Sequence, residues 1–286
     1  MSFLEKFFGY FKDETGSLEY FSDGLGHGFM DIRHLIWIII AILIPIILIK
    51  LSKKHKDKVM LFCKIVLIFM FVQRLTNQII RTVLMIENPF WRAAIPMHLC
   101  TIMVYLLPIV VVFNLKKIKK PVYFLSLLGG IITIIDGDYF SSLFLPFGVF
   151  EGTFAHTVLA TIPIVLMYNE KERFNKLKDV RDIIFAMGVL AGWATIFNVI
   201  LLSIGHGPNY MFLVRNMLPI GGKYFVFLYL LVFLIIVIAT YLLSNIKNFK
   251  HVKKEIKENK YKILSGSIIT AVYTFIIITV TNIFNK

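Results

Sequence analysis

Eight runs of apolar residues, each near the length that crosses a bilayer, divide this sequence, and they constrain its fold more than any other feature. They lie at about 35–51, 59–84, 96–113, 121–135, 152–168, 183–204, 223–245 and 262–284, with short polar connections between them. The composition agrees: 58% of the residues are hydrophobic and 17% charged, with a mean hydropathy of +0.77. Soluble domains sit near half apolar and a quarter charged. The expected fold is therefore all-α, a polytopic transmembrane helical bundle of about eight spans. The fourth run is short and ends at Asp136-Gly137-Asp138; residues 139–150, with Pro146, read as an interfacial or re-entrant piece, which makes seven spans the alternative. Residues 1–34 form an amphipathic amino-terminal segment, in which FLEKFFGYF suits an interface, and residues 35–286 form one transmembrane domain.

The chain carries 31 Lys+Arg against 17 Asp+Glu, a formal charge of +14. In a membrane protein that surplus belongs to short loops and reports topology. Lys50, Lys53, Lys54, Lys56 and Lys58 flank the first connection, and Lys116, Lys117, Lys119 and Lys120 the third. Lys171, Arg173, Lys176, Lys178 and Arg181 mark the fifth, and Lys247, Lys250, Lys253, Lys254, Lys257, Lys260 and Lys262 the seventh. The even-numbered connections are nearly bare. The alternation predicts four cytoplasmic loops, extracytoplasmic termini and a multi-pass protein of the cell membrane. Nucleic acid is not an expected partner; the run KNFKHVKKEIKENKYK reads as a topogenic loop ahead of an anionic-lipid patch. Acidic residues from Glu5 to Asp31 precede the first apolar run, so no secretory signal is expected. Cys63 and Cys100 start successive spans, which places them at opposite faces and leaves them unbridged. Pro45, Pro108 and Pro163 fall near mid-span in the first, third and fifth runs.

Ionisable side chains inside a bilayer are expensive and mark sites. Arg74, Asn77, Gln78 and Arg81 stand at i, i+3, i+4 and i+7 of the second span, on one helix face. The two guanidiniums suit a phosphate or carboxylate; a structural acid for Arg74 and snorkelling of Arg81 are the plainer reading. Counted from Val59, Arg74 lies about 22 Å up the span. His98 and Cys100 of the third span, Asp136 and Asp138 at the close of the fourth, His156 of the fifth, Asn198 of the sixth, and Asn209 and Tyr210 in the loop GHGPNYMF come to a similar level. That shared depth points to a polar pocket in the outer third of the membrane. Each member has a plainer role as an interfacial residue, a small hydrophobe, a helix-bonding amide or a turn. His98, Cys100, His156 and Asp138 have only weak metal-ligand spacing, and no metal or cofactor is assigned.

The segments AAIPMHLCTIMVYLLPI, FAHT around His156 and GPNYMFL together resemble the YwaF family of bacterial integral membrane proteins, over about Phe21 to Tyr241. That family is similar to a eukaryotic transmembrane acyltransferase that moves fatty acyl chains between phospholipids. The resemblance implies a Cys–His pair, with Cys100 or His98 at the reactive position and His156 as base. It also implies membrane lipids as partners and a phospholipid as substrate; the binding region is read from the shared depth and the helix-face spacing, with Arg74, Asn77, Gln78, Arg81, Asp136, Asp138, Asn198, Asn209 and Tyr210 lining it. Lipid acyl transfer or hydrolysis is one expectation. A non-enzymatic carrier or receptor for an anionic lipid or small solute is the second, and a structural membrane subunit the third.

Overall fold

The computed structural model describes residues 10–12, 18–20, 31–84, 97–136, 147–204, 210–214, 225–246 and 249–259. Two short strands, β1 (Tyr10–Lys12) and β2 (Leu18–Tyr20), pair antiparallel with Tyr10 opposite Tyr20 and Lys12 opposite Leu18. Among the described residues seven α-helices follow: α1 (Ile32–Leu84), α2 (Leu99–Val112), α3 (Lys119–Asp136), α4 (Phe147–Glu170), α5 (Leu177–Ser203), α6 (Phe225–Ser244) and α7 (Phe249–Glu258). The segment FLEKFFGYF, read as suited to an interface, ends inside β1. The eighth apolar run lies outside the described residues. The third, read as a span over 96–113, is a helix of only 14 residues. The fifth begins earlier than its apolar run, so that residues 147–150 of the supposed interfacial piece belong to α4.

Among the described residues four helices are long and apolar enough to cross a membrane: α1, α4, α5 and α6. The first is 53 residues long, and its own hydrogen bonds show that it is not one rod. Trp37 donates to Thr157 Oγ1 at 2.7 Å and Asn77 to Glu151 Oε2 at 2.9 Å. Thr157 and Glu151 are about 9 Å apart along α4, whereas a straight α1 would hold Trp37 and Asn77 about 60 Å apart. The helix must double back, and it does so at His55, whose φ of −133° and ψ of 50° are not helical. The basic cluster Lys50–Lys58 is thus a turn between two helical arms, each longer than the ~20 residues a span needs.

The chain divides into two compact units. One holds Met1–Pro96 and Cys100–Glu172, the other Met97–Leu99 and Arg173–Lys286. In the first, α4 is the central helix: 72% of its apolar window is buried, against 22% for α1. It packs on both α1 and α3. The close approach to α3 depends on Gly130, where a Cβ would stand 2.5 Å from the Ala160 nitrogen and 2.8 Å from the His156 carbonyl oxygen. Backbone atoms of a packed helix cannot move aside, and small residues at such crossings let helices in a membrane gain dispersion contacts. Gly130→Ala is therefore expected to lower the unfolding temperature in detergent by several degrees. Gly188→Ala in α5, where an added methyl meets nothing within 4 Å, should hold or raise it. Equal effects at the two sites would refute the α3–α4 contact.

The connections meet at the far end of the same unit. Lys119 Nζ donates to Glu170 Oε1 at 3.1 Å and to Asn114 Oδ1 at 2.9 Å, and the Tyr123 hydroxyl donates to Glu170 Oε2 at 3.2 Å. Lys120 pairs with Glu172 at 3.5 Å. These contacts join the start of α3 to the end of α4, so the two helices are antiparallel. The basic third connection and the start of the fifth share one end.

In the second unit α5 packs on α6. Asp179 accepts from the Lys176 backbone N–H at 3.1 Å in the first turn of α5, where a carboxylate also favours the helix dipole. This is why α5 begins several residues before its apolar run. The basic seventh connection contains α7, held by Glu255, which accepts from the Leu177 backbone N–H at 2.9 Å and from the Tyr241 hydroxyl at 2.8 Å. Val252 is buried beneath it while Lys254 and Lys257 stay in solvent.

A candidate polar site at the lysine-poor end

The first unit gathers its polar side chains at the end away from Lys119 and Glu170. α1 brings both of its ends there. At the first, His34 is fully buried and its Nε2 lies 2.6 Å from the Ile134 carbonyl oxygen, one of the last carbonyls of α3, which have no partner within their own helix. Trp37 reaches Thr157, whose hydroxyl in turn donates to the Thr153 carbonyl at 2.7 Å. At the second end, Arg74 Nη1 donates to Glu151 Oε2 at 3.2 Å, and Asn77 donates to the same oxygen. Glu151 is 3% exposed and Asn77 0%. A buried pair of this kind holds only if both charges are answered, and Glu151 supplies the answer that Arg74 requires.

Cys100 and His156 flank α3 on adjacent faces. The Sγ of Cys100 would stand 3.0 Å from a Cβ at Gly129, and Gly130 faces the His156 backbone. The two side chains therefore start from positions on the order of 10 Å apart across a pair of glycines. Cys100 Sγ lies 3.7 Å from Thr133 Oγ1, and the Thr133 hydroxyl is itself donated to the Gly129 carbonyl at 3.0 Å. Its proton being committed, Thr133 accepts, so Cys100 is the donor and stands as a thiol. His156 is buried, with Nδ1 2.7 Å from the Gly152 carbonyl oxygen. A carbonyl only accepts, so Nδ1 carries the hydrogen and the neutral ring has its lone pair on Nε2.

Arg74, Asn77, Cys100 and His156 are thus placed in one unit, with Gln78 buried on the same arm of α1. Arg81 follows on that helix and Asp136 closes α3, but their side chains lie outside the described residues, as do Asp138 and Asn209 entirely. His98, Asn198 and Tyr210 belong to the other unit. There the Asn198 amide bonds both backbone groups of Tyr210, accepting from its N–H at 2.9 Å and donating to its carbonyl at 3.1 Å. It fastens the turn Tyr210–Phe212, in which Met211 takes a φ of 51°. The His98 ring meets Tyr210 edge-on at 5.5 Å. The Asn198 amide thus bonds α5 to the segment at Tyr210.

Four contributors escape a reading of the sequence that looks for basic and thiol groups: Glu151, His34, Trp37 and Thr133. Glu151 had a signal. It is the one acid between Asp138 and Glu170, and a lone carboxylate in an apolar run asks for a cation as plainly as Arg74 asks for an anion. Among the described residues no group of three or more His, Cys, Asp and Glu stands close enough to hold a metal ion. Cys63 and Cys100 are both free thiols.

The outer faces decide the class. Ile36, Ile39, Ile40 and Leu43 on one arm of α1, Phe62, Ile65, Phe69 and Val72 on the other, and Phe185, Val189 and Ile196 on α5 are all exposed. Water does not tolerate continuous apolar surface of this extent, whereas acyl chains do. This is a multi-pass α-helical membrane protein with a buried polar layer. It belongs to the TMEM164 family, whose family model matches residues 29–244, from just ahead of α1 to the last residue of α6. No curated protein and no solved structure matches the chain.

Proposed function

We propose that the protein is a lipid acyltransferase or hydrolase of the cell membrane, acting on a phospholipid ester from the extracytoplasmic half of the bilayer. The observation that carries this is that Cys100 Sγ lies against Gly129 of α3 and the His156 backbone against the adjacent Gly130, with the His156 tautomer set so that Nε2 accepts a proton. A thiol reacts as its thiolate, and a neighbouring imidazole is the usual means of making one. In the proposed reaction His156 takes the Cys100 proton and Sγ attacks the ester carbonyl carbon. The ester C–O bond breaks and the lysolipid oxygen leaves with the proton from His156. A second lipid hydroxyl, or water, then attacks the thioester, giving its proton to His156 and releasing the thiol. The reading rests as well on the resemblance to the YwaF family and to an acyltransferase. The bond from the Cys100 thiol to Thr133 favours the second reading, a non-enzymatic carrier or receptor that uses the same layer to bind a lipid.

The test is a vesicle assay with purified protein, a phospholipid carrying one isotopically labelled chain and an unlabelled lysophospholipid. Label should appear in the lysophospholipid or as free fatty acid, and Cys100→Ala should abolish both. Turnover that survives Cys100→Ala removes the thiol from the reaction. No turnover by the unaltered protein leaves the carrier reading.

The orientation belongs to the same proposal: eight crossings, both termini extracytoplasmic and the basic connections cytoplasmic. Its support is the charge alternation and the meeting of Lys119, Lys120, Glu170 and Glu172 at one end. Reporter fusions after Lys56, Lys117, Lys176 and Lys254 should all read cytoplasmic; an external reading at any two overturns it.

A further inference from the structure

We propose that Gln73 and Asn77 form a buried recognition site for the hydroxyl groups of an uncharged, glycerol-type lipid. The two residues are four apart on the second arm of α1 and so share one face of it. Gln73 is 7% exposed, and both its Nε2 and its Oε1 are buried without a hydrogen-bond partner among the described residues; the same holds for Asn77 Oδ1. Folded proteins leave few such groups unmatched, because each has given up its bonds to water and gained none in return. Three on adjacent turns of one helix, in the same layer as Glu151 and His156, form a set with a definite complement. Two carbonyl oxygens accept and one amide donates.

The charge of the surroundings selects among the ligands that fit. Arg74, next to Gln73, is already answered by Glu151 at 3.2 Å, and Asn77 shares that carboxylate oxygen. A phosphate would have to displace Glu151 from Arg74. An ammonium group would meet the guanidinium. A hydroxyl both donates and accepts and brings no charge, so a pair of glycerol hydroxyls satisfies the two carbonyl oxygens with their hydrogens and the amide with a lone pair. This site is independent of acyl transfer, since a protein that binds such a lipid without turning it over keeps the one and loses the other.

Binding to the purified full-length protein in detergent tests this, with a glycerol monoester as probe and the propyl ester of the same fatty acid as its counterpart without hydroxyls. A site built to bond a hydroxyl discriminates strongly against an analogue that lacks it, so the monoester should bind the unaltered protein at least about tenfold more tightly. Gln73→Leu, or Gln73→Met if the first variant does not fold, should reduce that preference to about twofold or less. Equal affinity of the unaltered protein for the two esters, the result if only water bonds these groups, would overturn the proposal with no variant needed. So would an undiminished preference in the Gln73 variants. Preference for the monoester's phosphorylated counterpart would overturn it in favour of Arg74 as an anion site.

Discussion

Glu151→Ala should be among the most destabilising single changes in this protein, lowering the free energy of unfolding by about 3–5 kcal/mol. The carboxylate is 4% exposed and answers both the Arg74 guanidinium, itself 15% exposed, and the Asn77 amide. Removing it takes from the Arg74 guanidinium, between α1 and α4, the buried carboxylate it donates to. An exposed pair would be worth at most about 1 kcal/mol, so the size of the effect reports the burial. The double variant Arg74→Met with Glu151→Leu removes both charges and keeps the volume. It should regain most of the loss, because a buried ion pair contributes little beyond what packed apolar groups supply in its place. Unfolding in detergent micelles, followed by temperature or denaturant, measures both. A loss near 1 kcal/mol for Glu151→Ala, or a double variant as unstable as the single, would show that the pair does not hold α1 to α4.

What could be read from the sequence follows from the solvent. In a bilayer a helix must satisfy its own backbone and present apolar side chains, so Ile32–Leu84, Phe147–Glu170, Leu177–Ser203 and Phe225–Ser244 announce themselves by length and hydropathy. The turn at His55 was visible as the lysines on either side of it. Hydropathy is nearly blind to the contacts between helices, because the inside of a membrane bundle is about as apolar as its outside. Of the residues in the polar layer, Arg74, Asn77, Cys100 and His156 stand out in the sequence by chemistry and by depth along their spans, Cys100 and His156 also by the family resemblance. Their partners Glu151, Thr133 and the Gly152 carbonyl needed the packing to identify them. Asn198 shows the converse: polar and deep, it has the look of a site residue, yet its amide is spent on the two backbone groups of Tyr210. The hairpin Tyr10–Tyr20 escaped because strands this short leave little periodicity, and an aromatic-rich segment reads equally well as an interfacial anchor.

His156→Gln should cost turnover far more than stability, and the structure explains why the two separate. The hydrogen bond from Nδ1 runs to Gly152 in the same helix, four residues back, so that bond is internal to α4. Its loss leaves the Gly152 carbonyl within the helical ladder, and Gln keeps a polar side chain of comparable size. A purely structural histidine would therefore give a variant with a modestly lowered unfolding temperature and activity in proportion to the folded fraction. A general base gives a different result. With no basic nitrogen to take the proton of Cys100, of water or of the acceptor hydroxyl, acyl transfer should fall by about 10²–10⁴-fold in fully folded protein. The comparison that decides is turnover per folded molecule in the labelled-phospholipid assay, set beside unfolding temperature for His156→Gln and His156→Ala. Folded variants that retain more than about a tenth of the original turnover would remove His156 from the chemistry. Folded variants that lose it entirely while still binding lipid place the proton transfer at Nε2.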